Sequence, residues 1–207
     1  AINTAKRYGN KLEYWNTDAT GFLKSLTYKE PLCLDFDPKG KNIFIIGCGG
    51  AGRAIIASLS WKDAGVKKIY INDINKEAVN SAKTYFHQLP QRHYLEKILE
   101  FISKEQIGDK IKESHLLINT SPVGLKESDG SPIEDKKWLH RDLSVYDGVY
   151  HRETQLIKDA KSQKVSAITG GLGMLLYQGV DALELWLGQG QRAPVEVMRK
   201  ALMEAIN

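Results

Sequence analysis

A glycine-rich turn between two apolar segments constrains the fold of this chain more than any other feature. Residues 43–46 are apolar and mostly β-branched, which is typical of a strand buried on both faces of a parallel sheet. Residues 47–52, GCGGAG, complete a G-x-G-x-x-G pattern, and 53–64 follow with apolar residues at a helical spacing. A second strand is predicted at 68–71, and Asp73 follows it about 20 residues beyond the loop. In this context the pattern predicts a dinucleotide-binding loop.

Each glycine of the loop has its own predicted role. Gly47 permits a tight turn after the strand, Gly49 lets the backbone approach a pyrophosphate, and Gly52 allows close packing of the helix on the strand. The alternative is a glycine-rich turn that binds no ligand. Cys48, close to a helix start, is interpreted either as a reactive thiol or as a small apolar filler. The predicted cofactor-binding residues of the loop are Gly47, Cys48, Gly49, Gly50, Ala51 and Gly52.

Composition excludes several classes of protein. With 207 residues and 42% apolar content, the chain is long enough to bury a sizeable core. Its net charge of +4 is mild and mixed along the chain, which predicts no nucleic-acid partner. No apolar stretch approaches the roughly 18 residues of a membrane span, so a cytoplasmic protein without membrane contact is expected. The two cysteines and five histidines show no ligand spacing, and no metal is expected.

Predicted strands and helices alternate along the chain, which is typical of a parallel sheet. We therefore expect an α/β fold with a Rossmann-like, doubly wound parallel sheet of six strands and helices on both faces. Residues 1–4 resemble the end of a strand, a short strand is expected at 11–15, and a helix is expected to start near Thr20. Further strands are predicted at 98–101, at 115–119, within 143–150 and at 165–168, and further helices at 75–89, 104–114, 154–161, 174–187 and 193–206.

Several separated motifs together resemble the shikimate dehydrogenase family. Their order and spacing are similar to that family over nearly the whole chain, which is more specific than the glycine loop alone. The motifs are Asn16-Thr17-Asp18 with Gly21, the loop 47–52 with Arg53-Ala54, Asn119-Thr120-Ser121-Pro122-Val123-Gly124, Gly171-Leu172-Gly173-Met174-Leu175 with Gln178-Gly179, and the partial match Asp147-x-Val149-Tyr150.

The resemblance implies an NAD(P)-dependent enzyme that interconverts 3-dehydroshikimate and shikimate, a small-molecule substrate, in aromatic amino acid biosynthesis. In the family, the aspartate of the N-T-D motif binds a substrate hydroxyl beside a catalytic lysine, and Asp18 matches it. A lysine with a carboxylate partner can carry the proton that moves when hydride leaves the carbon. Taken without the resemblance, Asp18 would be interpreted as a helix N-cap.

The resemblance also implies further substrate and cofactor contacts. Asn3, Tyr150 and Gln178 match substrate-binding positions. The alternative for Gln178 is a hydrogen bond to a buried carbonyl, because unpaired buried polar groups are costly. The matched positions on the nicotinamide side of the cofactor are Thr120, Gly148 and Gly171.

Two departures from the family pattern concern the substrate. The family's catalytic lysine and most of its substrate domain lie upstream of the position that matches Asn3, and the segment after Tyr150 lacks the family's proline. Residues 1–27 are therefore interpreted as a remnant of the substrate domain with a linking helix. The other predicted parts are the dinucleotide-binding Rossmann domain, 28–187, and a C-terminal helix that packs back toward the substrate side, 188–207.

A third departure concerns the cofactor, which is expected to be NAD or NADP. Family members that use NADP usually carry Asn-Arg-Thr after the second strand, whereas this chain has Asn72-Asp73-Ile74. A carboxylate at this position accepts hydrogen bonds from ribose hydroxyls and repels a 2′-phosphate, so Asp73 favours NAD. Lys76 weakens the argument because it lies close enough in sequence to reach a phosphate.

Three functions are open at this point. The leading one is the nucleotide-binding part of a shikimate dehydrogenase that, as this chain alone, binds dinucleotide without turning over shikimate. The alternatives are an NAD-dependent quinate/shikimate dehydrogenase and a non-catalytic dinucleotide-binding module. The oligomeric state is open too, with a homodimer as the assembly to be tested.

Overall fold

Six parallel strands form the central sheet of the computed structural model, which describes residues 2–188 and 190–206. The sheet strands are β3 (Asn42–Ile46), β4 (Lys68–Asn72), β5 (Leu99–Phe101), β6 (Leu116–Asn119), β7 (Ser144–Asp147) and β8 (Ala167–Gly170). Their spatial order is β5-β4-β3-β6-β7-β8, so the direction of winding reverses between β3 and β6. This order is that of a doubly wound Rossmann sheet, and the predicted fold class is confirmed.

Helices cover both faces of the sheet. One core joins the sheet to the first four helices, and a second core joins its other face to the fifth and sixth. The helices are α1 (Asp18–Thr27), α2 (Gly50–Leu59), α3 (Lys76–His87), α4 (Arg92–Ile98), α5 (Ile107–Lys112), α6 (Gln155–Gln163), α7 (Leu172–Leu187) and α8 (Val195–Ala205), with 3-10 turns at Lys62–Ala64, Lys104–Gln106 and Lys136–Trp138.

Strand β3 shows why residues 43–46 are all apolar. Side chains alternate between the two faces of a strand. Ile43 and Ile45 accordingly lie in one core, whereas Phe44 and Ile46 lie in the other. A strand buried on both faces leaves no position for a polar side chain, which is the pattern that the sequence predicted.

Helices α1 and α7 pack together at two glycines. A Cβ added at Gly21 of α1 would lie 2.6 Å from the backbone nitrogen of Gln178. A Cβ at Gly173 of α7 would lie 2.9 Å from the Cβ of Ser25 and closer still to the carbonyl oxygen of Leu32. The two helices therefore approach at backbone distance, which fixes the position of one against the other.

A short hairpin is attached to the C-terminal end of α7. Its strands are β1 (Thr4–Tyr8) and β2 (Lys11–Trp15), which pair antiparallel. The amine of Lys6 donates to the carbonyl of Leu185 at 2.9 Å, and the indole N–H of Trp186 donates to the carbonyl of Ala5 at 3.0 Å. The bond from Lys6 satisfies a carbonyl that the helix end leaves free.

The last helix, α8, packs against α7 around a third, smaller core. The guanidinium of Arg199 is buried here and donates to the carboxylate of Glu30 at 2.6 Å and to the hydroxyl of Tyr177 at 3.2 Å. Burial is the main reason that the pKa of Tyr177 is raised, and its bond to Glu30 acts in the same direction. Ala1, Gln189 and Asn207, which belong to the predicted parts 1–27 and 188–207, lie outside the described residues.

Several predicted boundaries were wrong. Thr4 begins strand β1 rather than lying at the end of a strand, and the first helix starts at Asp18 rather than near Thr20. The helix predicted at 53–64 begins inside the glycine loop and ends at Leu59. The last strand starts at Ala167, two residues later than expected, because the N–H of Val165 still donates to α6 at the carbonyl of Ala160.

The short helix α4 was not predicted at all. It spans seven residues and buries Leu95 and Ile98, the second of which was assigned to a strand. No helix in the described ranges combines the length and apolar content needed to cross a bilayer. The division at residue 27 stays a prediction, although α1 buries Phe22 and Leu26 in the same core as β3.

The glycine contact between α1 and α7 generates the first prediction. Gly21→Ala forces the helices apart and is expected to lower the free energy of unfolding by about 1–3 kcal/mol. Gly179→Ala is the matched control, because the nearest atom to its Cβ would be Met198 Cε at an ordinary 3.6 Å. Alanine in a helix interior is expected to raise the stability there by about 0.5–1 kcal/mol. Urea denaturation measures both, and a Gly21→Ala variant as stable as the original chain would contradict the packing described.

Candidate functional site

The turn from β3 into α2 depends on two glycines. Gly47 has φ +96°, which glycine adopts without strain. A Cβ at Gly52 would lie 2.5 Å from the carbonyl oxygen of Gly47 and 2.7 Å from Thr120 Oγ1. The Thr120 hydroxyl donates to that same carbonyl at 2.8 Å. The interior of the loop is therefore filled by its own backbone and by Thr120.

The outer side of the loop is open. A Cβ at Gly49 or Gly50 would meet no heavy atom within 4 Å. Helix α2 starts at Gly50, and its first backbone N–H groups have no partner within the helix. Free N–H groups at the start of a helix can bind a phosphate, and no side chain blocks the approach to them here.

Asp73 connects the end of β4 to this loop. One carboxylate oxygen accepts the backbone N–H of Cys48 at 2.8 Å, and the other accepts the N–H of Asn75 at 2.8 Å. Each oxygen keeps a further lone pair for another donor. The side-chain amide of Asn72 donates to the carbonyl of Ile102 at 3.1 Å. This bond directs the Asn72 side chain toward the residue that follows β5.

Cys48 is part of the core. Its side chain is fully buried among apolar residues. Burial, and secondarily the nearby carboxylate of Asp73, raise the pKa of the Cys48 thiol to about 12. The interpretation as a reactive thiol is therefore wrong, and the side chain acts as a small apolar filler.

Three predicted cofactor residues follow the ends of adjacent strands. Thr120 comes directly after β6 and Gly148 after β7, and Gly171 comes after β8. A Cβ at Gly148 would lie 2.8 Å from the carbonyl oxygen of Asn119. A Cβ at Gly171 would overlap the carbonyl of Gly148. Because parallel strands end at one edge of the sheet, these residues share the edge with the glycine loop.

Asn3, Asp18 and Gln178, three of the predicted substrate residues, are linked through Thr17. The side-chain amide of Asn3 donates to the Asp18 carboxylate at 2.9 Å, and its oxygen accepts the backbone N–H of Thr17 at 2.9 Å. The Thr17 hydroxyl lies 3.4 Å from the side-chain oxygen of Gln178. The structure thus brings together Asn3, which precedes the hairpin, with residues at the start of α1 and on α7.

The structure also tests the alternatives for two of these side chains. The N-cap of α1 is Thr17, and Asp18 is the first helical residue, so the N-cap interpretation of Asp18 is wrong. Its charge in the first turn still favours the helix. The amide of Gln178 donates to the carbonyl of Leu175 at 3.2 Å, so its alternative role as a partner for a carbonyl is observed.

Tyr150 stands apart from this group. Its side chain is 44% exposed, and its ring meets the imidazole of His151 edge-on. Within the described ranges, no hydrogen bond joins it to Asn3, Asp18 or Gln178. Its role as a substrate contact stays a prediction.

Sequence reasoning missed two carboxylates at the site, of which Asp147 is buried and Asp181 is half-buried. The carboxylate of Asp147, at the end of β7, accepts from Asn119 at 2.9 Å and from Thr154, and burial raises its pKa. On α7, Asp181 accepts from Thr20 and Lys24 of α1. The only available signal was position: Asp147 and Asn119 lie in quoted motifs, and Asp181 lies one helical turn after Gln178.

The described residues contain no cluster of side chains that could bind a metal ion. Across residues 2–188 and 190–206, no three side chains of His, Cys, Asp or Glu converge on a common point.

Comparison with known proteins identifies the family. The family model for the Shikimate 5'-dehydrogenase C-terminal domain matches residues 171–203. A protein named shikimate dehydrogenase (NADP(+)) from Methanopyrus kandleri is 34% identical over 209 residues, which covers 99% of this chain and 67% of that relative. The chain belongs to the shikimate dehydrogenase family. A relative of the same name from Streptococcus sanguinis is 34% identical over 91% of this chain and 63% of its own length, so the chain spans about two thirds of its shikimate dehydrogenase relatives.

Solved shikimate dehydrogenase structures share the fold. The Listeria monocytogenes shikimate 5-dehydrogenase, in complex with shikimate and NAD, superimposes with a TM-score of 0.81 at 29% identity, over 98% of this chain and 68% of that one. The Thermus thermophilus enzyme, in complex with NADP(H) and shikimate, gives a TM-score of 0.75 at 27% identity over 99% and 68%. Family members are thus described with either cofactor.

Proposed function

We propose that this chain is the dinucleotide-binding part of a shikimate dehydrogenase, which interconverts 3-dehydroshikimate and shikimate with NAD or NADP. The observation that carries the proposal is the arrangement of two sites on one helix. Helix α7 starts next to Gly171 at the edge shared with the glycine loop. Seven residues later, about 10 Å along the helix, Gln178 reaches the group of Asn3 and Asp18.

The loop suits the dinucleotide for a specific reason. The open backbone at Gly49 and Gly50 leaves room for a pyrophosphate, and the start of α2 offers N–H donors to it. Gly148 and Gly171, which have no side chain, then line the nicotinamide side with Thr120. The cofactor would supply the hydride, and the protein would hold its reactive ring against the substrate.

Substrate binding is proposed at Asn3, Asp18 and Gln178, with Tyr150 as a further contact. An amide can donate a hydrogen bond to a hydroxyl or accept one from it, and a carboxylate accepts one from it. Asp18 would bind the hydroxyl at the reacting carbon and partner the lysine that moves its proton. Within the described residues no lysine amine lies at ion-pair distance from Asp18, and the nearby Lys24 is bound by Asp181. The catalytic lysine is therefore expected from the part of the family's length that this chain does not span.

The remaining assignments rest on the same proposal. Residues 1–27 would belong to the substrate side, 28–187 would form the cofactor domain, and 188–207 would pack back toward the substrate. A cytoplasmic location and a homodimer are further predictions, the second because exposed apolar residues on the hairpin favour association.

The test is a binding titration beside a steady-state assay on the same sample. The chain is expected to bind NAD or NADP and to show no turnover of shikimate, since losing an acid-base or positioning group costs about 10²-fold or more. Intrinsic fluorescence measures binding, and absorbance of the reduced nicotinamide measures turnover. A full-length family member serves as the positive control. Turnover at its rate would mean that the catalytic groups are misplaced, and failure to bind either dinucleotide would overturn the proposal itself.

Cofactor preference is predicted from Asp73, with NAD binding more tightly than NADP. Asp73→Ser removes the acceptor for the ribose hydroxyls and is expected to weaken NAD binding about tenfold, while NADP binding stays the same or improves. Asp63→Ser, in the 3-10 turn away from the loop, is the matched control. Because Asp73 also holds the N–H of Cys48, the melting temperature of each variant is measured first. Tighter binding of NADP by the original chain would contradict the prediction.

A further inference from the structure

A cavity lies at the outer edge of the sheet, between α3, α4 and β5. Its volume is about 520 Å³, within the range of about 300–1,000 Å³ that small-molecule sites occupy. Its apolar lining consists of Phe86 and Leu95, which are buried, and of Leu99 and Phe101, which are half-buried. The cavity therefore offers an aromatic and aliphatic surface to a ligand of moderate size.

Two cations on the rim lack a carboxylate partner. Lys83 projects from α3, and its amine lies over the ring of Phe101, 5.3 Å from the centroid. Arg92 stands at the start of α4. Within the part of the chain that the structure describes, neither makes an ion pair with an acidic side chain. Neither charge is thus neutralised by a carboxylate, and both can attract an anion into the cavity.

The other titratable groups of the cavity do not cancel this charge. Glu96 is the one acid among the described lining residues. Imidazole nitrogens of His87 and His93 lie 3.4 and 3.5 Å from its carboxylate oxygens. Thr84 and Gln88, which are neutral, complete the lining. With neutral histidines, the formal charge of the lining is +1.

The cavity is separate from the dinucleotide loop. None of its lining residues belongs to the loop or to the proposed substrate group. Lys83 lies seven residues, about 10 Å, further along α3 than Lys76, which starts the helix close to Asp73. A ligand here would leave the glycine loop free.

We propose that this cavity binds a small aromatic carboxylate. The ring would pack on Phe101 and Leu99, and the carboxylate would lie toward Lys83 and Arg92. Apolar contact supplies most of the affinity, and the unpaired cations select the sign of the charge. This site is independent of the reaction proposed above.

The experiment uses 2-naphthoate as a fluorescent probe, with neutral 2-naphthamide and cationic 2-naphthylmethylamine as charge controls. Each titration is run without NAD and with saturating NAD, so that the glycine loop is occupied in the second series. The carboxylate is expected to bind more tightly than both controls, and added NaCl is expected to weaken its binding but not that of the amide. Equal affinity for the three probes, or binding that disappears when NAD is added, would overturn the proposal.

Variants locate the site. The double variant Lys83→Glu, Arg92→Glu is expected to weaken 2-naphthoate binding about tenfold and to leave 2-naphthamide unchanged. Lys158→Glu, on the exposed surface of α6, changes charge at a distance and is expected to have no effect. If the double Glu variant has a lower melting temperature than the original chain, the double variant Lys83→Met, Arg92→Met replaces it. Methionine keeps an apolar side chain and removes only the charge. Unchanged 2-naphthoate affinity in a folded double variant would place the probe elsewhere and refute the site.

Discussion

The close contact between the glycine loop and Thr120 is the constraint on which the rest of the site depends. Gly52 lies so near the carbonyl of Gly47 that any side chain there would displace α2 from β3. Thr120, at the end of the neighbouring strand, donates to the same carbonyl. The interaction joins β3, α2 and β6 where the winding of the sheet reverses, and a crevice at such a point is where doubly wound folds bind ligands.

A second set of backbone contacts places the substrate group relative to that crevice. Gly21 and Gly173 bring α1 and α7 together, and Asp181 binds Thr20 and Lys24 across the same interface. The hairpin is bonded to the far end of α7, so that Asn3 meets Asp18. The positions of the proposed substrate side chains therefore depend on helix packing. The shape of the glycine loop depends instead on the turn between β3 and α2.

Local patterns in the sequence explain how much of this could be predicted. The apolar run of β3 and the glycine spacing specify their structures within a few residues, and the parallel sheet follows from the alternation of strands and helices. The hydrogen bond from Cys48 to Asp73 and the ion pair of Lys24 with Asp181 join residues far apart in the chain. Local sequence patterns do not predict such contacts. Helix α4 was missed because its seven residues are too short to show a helical period.

The central claim is that the open side of the loop receives a dinucleotide, and alanine substitutions at three loop glycines test it most directly. Gly49 has φ −67° and ψ −155°, and its Cβ would enter open space, so Gly49→Ala should fold as stably as the original chain. The same Cβ would stand where the pyrophosphate approaches, so dinucleotide binding should be lost. Gly50→Ala, at a variable position of the pattern, should keep both properties, and Gly52→Ala should lose stability. A Gly49→Ala variant that binds NAD or NADP as tightly as the original chain would contradict the account.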